Sequence, residues 1–160
     1  MRLGLVAVGR LASGSERDLV RRYVKRFDAL ARGIGLGRLE LQETAEGRSR
    51  RAADRRAEEA RALRALVPAA GRLVLFDERG AMLGSAEFAA EIGRSRDGGV
   101  PALFFVIGGP DGADESLRGG ADSVLSLGRM SMPHQLVRVL VAEQIYRAAT
   151  ILAGHPYHRE

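Results

Sequence analysis

Ala102-Leu103-Phe104-Phe105-Val106-Ile107-Gly108-Gly109-Pro110-Asp111-Gly112 runs six apolar residues straight into a turn of glycine, proline and aspartate. An apolar run of that length without polar alternation predicts a strand buried on both faces, as in a parallel sheet covered by helices. The turn leads into a short helical stretch at residues 113–118, so glycines stand where a strand hands over to a helix. There the backbone can approach a ligand closely, and a helix start presents free amides. The glycine spacing is not that of a dinucleotide-binding or Walker phosphate loop.

The same strand-then-helix grammar extends to both ends of the chain. Residues 2–8 read as a buried strand edged by Gly9, and residues 15–31 as a helix carrying Leu19, Tyr23, Phe27 and Leu30 on one face. After Gly33, Gly35 and Gly37, residues 38–43 suit a second strand and residues 50–66 a helix rich in Ala, Arg and Glu. Residues 72–77 are the third strand, and Ser85 is placed to cap a helix over residues 86–96. Residues 123–127 are a short last strand and residues 134–152 a long last helix ahead of Gly154 and Pro156. Five strands alternating with five helices predict an α/β fold with a mostly parallel sheet and helices on both faces. In that architecture ligands gather at the carboxyl ends of the strands.

A second loop at such an end is Leu127-Gly128-Arg129-Met130-Ser131-Met132-Pro133. Its methionines and Leu127 suit an adenine or a thioether, with main-chain groups left to read polar edges. Taken alone, each loop also reads as a plain connection, the methionines as core residues and Pro133 as helix-start chemistry. The last helix is apolar nearly all round, which predicts burial on two sides and a subunit interface. Arg138, Glu143 and Arg147 are its conspicuous charges, the last two spaced to pair. The end of the chain, His155-Pro156-Tyr157-His158-Arg159-Glu160, offers an aromatic ring, imidazoles and a guanidinium that suit a base or phosphate.

At 160 residues and 46% hydrophobic content, the chain is expected to form one folded domain over its whole length. The absence of cysteine excludes disulfides and thiolate chemistry, and His134, His155 and His158 lack zinc-site spacing, so no metal is expected. No apolar run is long enough to cross a bilayer and no secretory leader is recognisable, which predicts a cytoplasmic protein without a membrane partner. A net charge of +5 favours a polyanionic partner. Only Lys25 among the 25 basic residues is lysine, a bias that a GC-rich genome also produces. The basic segment Arg48-Ser49-Arg50-Arg51, with Arg55 and Arg56 beyond it, reads either as an RNA contact away from the active site or as a solvated face balanced by Asp54, Glu58 and Glu59.

Taken in order, residues 105–112, Leu125-Ser126-Leu127, residues 132–140, Glu143-Gln144-Ile145-Tyr146-Arg147-Ala148 and the closing His155-Pro156-Tyr157-His158-Arg159-Glu160 resemble the bacterial large-subunit ribosomal RNA methyltransferase H family. That family belongs to the SPOUT, or alpha/beta-knot, superfamily. The likeness spans the chain, including Leu5-Val6-Ala7-Val8-Gly9, and is most specific from residue 102 onward. It implies a trefoil knot near the C-terminus, a homodimer, and methyl transfer from S-adenosylmethionine to N3 of a pseudouridine in 23S rRNA of the assembled ribosome. By the same resemblance the cofactor would lie against Phe76, Gly108, Gly109, Leu127, Gly128, Arg129, Met130, Ser131, Met132 and Pro133, with Phe76 standing where an aliphatic residue is expected. Arg138, Arg147, Tyr157 and His158 would serve catalysis by orienting the base, with His158 a candidate base, while Glu143 and Arg159 would face the RNA. The alternatives are a ribosome-binding module without catalysis and a SPOUT methyltransferase acting on another RNA.

Overall fold

The computed structural model describes residues 1–158. In chain order its elements are β1 (Arg2–Val8), α1 (Ser15–Ala31), a 3-10 turn (Arg32–Ile34), β2 (Leu39–Thr44), α2 (Ala52–Leu66) and β3 (Arg72–Met82), followed by α3 (Ser85–Asp97), β4 (Ala102–Ile107), α4 (Glu115–Gly119), β5 (Ser123–Ser126) and α5 (His134–Leu152). The sheet has the order β2-β1-β4-β3-β5, and every neighbouring pair is parallel. All six residues of β4 are buried, as its unbroken apolar run requires of a central strand.

Side chains alternate across the sheet, so the core has two halves. Leu3, Leu5, Val74, Phe105 and Ile107 pack with α1, α3 and α5, where Phe27, Ile92 and Ile145 are buried. Val6, Val8, Leu73, Phe104 and Val106 face α2 and α4, meeting Leu63 and Leu117. Helices therefore cover both faces, as the alternation of elements predicts.

Three local expectations are corrected. The third strand continues past residue 77: Phe76 pairs with Leu125, and after an excursion of residues 77–80 so does Ala81. Charged residues at 77–79 hide this strand, because its outer part is not built from a buried apolar run. Ser85 does not cap the third helix; it is the first helical residue, and its hydroxyl donates to Gln144 Oε1 of α5 at 2.8 Å. The helix start is instead closed by Glu87, which accepts the Gly84 N–H at 2.7 Å. The second helix begins at Ala52, two residues later than expected.

Candidate functional site

The strands β4, β3 and β5 lie side by side, and the segments after β4 and β5, together with residues 76–79 of β3, enclose a cleft of about 610 Å³. Phe76, Ile107, Leu127 and Val137 give it apolar surface, joined by Met130 and Met132 from the loop before α5. Gly108 and Gly109 line it after β4, and Gly128, Ser131 and Pro133 line it after β5. The three loops named from the sequence therefore meet in one place. Of the expected cofactor contacts, only Arg129 is absent from the lining; it is exposed in the same loop.

The Gly109–Gly112 turn is closed by a bond from the Gly112 N–H to the Gly109 carbonyl at 3.0 Å, with Gly112 at φ 84°. Gly109 has a further constraint: a β-carbon there would lie 2.6 Å from Glu59 Oε2. Glu59 is 4% exposed, and its other oxygen accepts the Gly47 N–H at 2.9 Å, so it has little room to withdraw. On the other side of the cleft, the Ser126 hydroxyl accepts the Gly128 N–H and donates to the Gly128 carbonyl, fixing the start of the methionine loop.

The rim is charged, and this part was not legible in the sequence. The excursion in β3 places Asp77, Glu78 and Arg79 on the cleft, opposite Asp111, Asp114, Glu115, Arg118 and Arg56. Arg118 donates to Asp77 Oδ2 at 2.9 Å. Burial pushes the Asp77 carboxyl up, but the Arg118 bond, the Arg79 N–H and the nearby guanidinium charges outweigh it and hold Asp77 below the ordinary aspartate value. Asp114 caps α4 by accepting the Ser116 N–H at 2.9 Å. Five carboxylates against three guanidiniums leave the cleft acidic on a chain of net charge +5.

In the basic segment Arg48, Arg50 and Arg51 are exposed, whereas Arg55 and Arg56 reach the cleft. Arg55 donates to the carbonyls of Ser49 and Arg50 and, through Nε, to Asp111 Oδ2 at 2.7 Å. Glu58 accepts the Arg48 N–H and the Ser49 hydroxyl, so the two glutamates read as surface counter-charges staple the preceding loop. Their alternation with arginine carries no sign of this, because only the return of the loop onto α2 distinguishes a staple from a solvated charge.

The remaining expected site residues lie elsewhere within the chain. Arg147, on α5, donates to Glu143 Oε1 at 2.5 Å, and its guanidinium carbon lies 5.0 Å from the centre of the Tyr157 ring. The Tyr157 hydroxyl donates to the same Glu143 oxygen at 3.2 Å, and its ring packs 4.7 Å from that of Tyr146. Burial and the Glu143 charge push the Tyr157 phenol up to about 12, so it keeps its proton at neutral pH and acts as a donor. His158 Nδ1 is buried without a hydrogen-bond partner among the described residues. None of these residues lines the cleft.

Arg138 is also outside the cleft, because its guanidinium is held by other groups: Nη2 donates to the Val8 carbonyl and Nη1 to Glu43 Oε1, both at 2.7 Å. Arg138 is 3% exposed, and burial pushes its guanidinium down against the opposing effect of Glu43. Arg159 lies outside the described residues. Among the described residues no cluster of three or more His, Asp or Glu side chains is arranged to hold a metal ion.

The whole described chain, residues 1–158, matches the family described as "Predicted SPOUT methyltransferase". This chain belongs to the SPOUT methyltransferase family. Among its relatives, the Ribosomal RNA large subunit methyltransferase H of Rhodopseudomonas palustris (strain HaA2) is 56% identical over 159 residues, covering 99% of each chain. The protein of the same name from Methylocella silvestris is 49% identical over 160 residues and all of both chains. A more distant likeness is to the crystal structure of the SpoU methyltransferase AviRb from Streptomyces viridochromogenes, with a TM-score of 0.43 and 15% identity over 96% of this chain and 61% of that one.

Proposed function

We propose that this protein is a cytoplasmic enzyme that methylates N3 of a pseudouridine in 23S rRNA, acting on the assembled 70S ribosome with S-adenosylmethionine as donor. The observation that carries the reading is the convergence of the glycine turn, the methionine loop and residues 76–79 of β3 on one cleft, in a chain whose full-length relatives bear the name of rRNA methyltransferases. The cleft has the volume of a cofactor site and carries apolar side chains on part of its wall. Its excess of carboxylates suits a ligand carrying a sulfonium and an ammonium group, and would repel the phosphates of RNA.

When bound, the cofactor supplies an electrophilic methyl group. Phe76, Leu127, Met130 and Met132 would hold its flat apolar part, while Gly108, Gly109 and Gly128 allow main-chain groups to come close. The protein's remaining tasks are to align the base, exclude water and favour loss of the N3 proton. Arg147, Tyr157 and His158 suit the first task as donors of charge and hydrogen bonds, with Arg159 beside them in sequence. Tyr157, which keeps its proton, suits a donor, and His158, whose Nδ1 has no partner among the described residues, is the candidate base.

We infer that residues 1–160 act as one domain in a homodimer, with the chain knotted around the methionine loop as its family implies. The separation of the Arg147–Tyr157 cluster from the cleft supports a dimer in which this cluster serves the cleft of the second subunit. Leu136 and Leu140, one turn apart on α5 and 45% and 40% exposed, supply apolar surface for such a contact. The test is methyl transfer from labelled S-adenosylmethionine to 70S ribosomes, 50S subunits and free rRNA, with the product mapped by mass spectrometry. Methylpseudouridine formed mainly on 70S is the expected result. No transfer to any of the three by a folded protein would sink the enzymatic reading.

A further inference from the structure

A second concavity, of about 380 Å³, lies beside the β1–β2 edge of the sheet and shares no lining residue with the cleft. Its floor is apolar, from Leu5, Ala7, Leu11 and Val20. Four guanidiniums line it: Arg10 after β1, Arg17 and Arg21 one turn apart on α1, and Arg138 on α5. The sole carboxylate among its lining residues is Glu43, which already accepts both the Leu11 N–H and Arg138. The Nε atoms of Arg17 and Arg138 are buried and have no hydrogen-bond partner among the described residues, although Arg138 satisfies its other two nitrogens. Buried charged donors without acceptors are costly, and phosphate oxygens are the acceptors that arginine forks fit best.

We infer that this pocket binds a backbone phosphate of the RNA substrate, so that Arg10, Arg17 and Arg21 hold the strand while its target base occupies the cleft. The inference rests on the RNA-methylating reading above and adds a substrate site outside the cleft. Position favours a polynucleotide over a free anion. His134 and Val137 of α5 line the cleft while Arg138 lines the pocket. The two sites are thus about one helical turn, some 6 Å, apart along α5. His134 also lies beside Gly9, at the end of the strand from which Arg10 continues. The acidic cleft cannot neutralise a strand, whereas the pocket carries four cations against one anion. Arg10 and Arg21 are exposed, so the pocket opens to a passing chain.

The test compares wild type with Arg17→Ala, Arg21→Ala and the double variant, reading affinity for purified 70S ribosomes across a salt series, calorimetric binding of S-adenosylmethionine, and KM and kcat for methyl transfer. The expected result is unchanged cofactor binding and kcat, with ribosome binding weakened about tenfold in the double variant. The slope of log affinity against log salt should fall by about 0.7 to 0.9 for each phosphate that the variant no longer neutralises. Should Arg17→Ala fail to fold, Arg10→Ala with Arg21→Ala gives the same readout from exposed positions. Unchanged affinity and slope would overturn the inference. So would calorimetric binding of inorganic phosphate that disappears in the variants while ribosome affinity stays intact, since the pocket would then serve a small anion. Affinity is read without turnover: a wild type that needs these arginines for ribosome binding but transfers no methyl group would support the pocket and refute the enzymatic reading.

Discussion

Gly109 shows how one missing side chain shapes the cleft. Its α-carbon sits against a buried, tethered Glu59, and the nearest oxygen would be 2.6 Å from a new β-carbon. Gly109→Ala therefore displaces either the turn or the Glu59–Gly47 link. We expect S-adenosylmethionine affinity to fall about tenfold, equivalent to about 1.4 kcal/mol, measured by calorimetry on folded protein. Asp77 gives a pH-dependent prediction. Its folded-state value lies below the ordinary one, so its partnership with Arg118 contributes stability fully above the unfolded aspartate value of about 3.9 and loses it as pH falls through the folded value. In urea titrations Arg118→Met should be less stable than wild type at neutral pH, with the gap narrowing below about pH 4. A gap that persists unchanged into strong acid would show that the ion pair is not its source.

Among the elements, α5 is the one that joins distant parts of the chain. It packs on α1 and α3, and Arg138 ties it to the end of β1 and to Glu43 on β2. Arg138→Met keeps much of the side-chain volume but leaves the Val8 carbonyl and Glu43 without this donor. It should destabilise the protein by about 2–3 kcal/mol, read as a lower urea midpoint. The extent of α5 was legible because its apolar run is bounded by Pro133 and Gly154; the burial of Arg138 was not, since a charge on a helix ordinarily faces water. The same limit applies to β3. Its first half shows as a run of apolar residues, while its second half exists only because β5 is present to pair with it. The apolar and glycine-bearing walls of the cleft thus follow from local sequence. The Asp77–Arg79 side of its charged rim depends on a register shift between two strands, which no local pattern encodes.

At the scale of the whole molecule, a cleft lined by the middle of β3, by segments after β4 and β5 and by the start of α5 couples ligand binding to folding. A ligand that binds only the folded state stabilises it by mass action. At a hundredfold excess over its Kd, S-adenosylmethionine should raise unfolding free energy by about 2.7 kcal/mol, measured as a shift in the urea transition. Absence of any shift at that concentration would contradict cofactor binding in the cleft. The strand order β2-β1-β4-β3-β5 also bears on how the protein is made. Synthesis releases β3 before β4, yet β4 belongs between β1 and β3, so an emerging chain cannot add its strands one after another to a growing edge. The inner edge of β1 stays open until residue 107 has left the ribosome, and α5 cannot dock until later still. Each nascent chain therefore passes through a stage with an apolar strand edge exposed, when chaperone protection matters most.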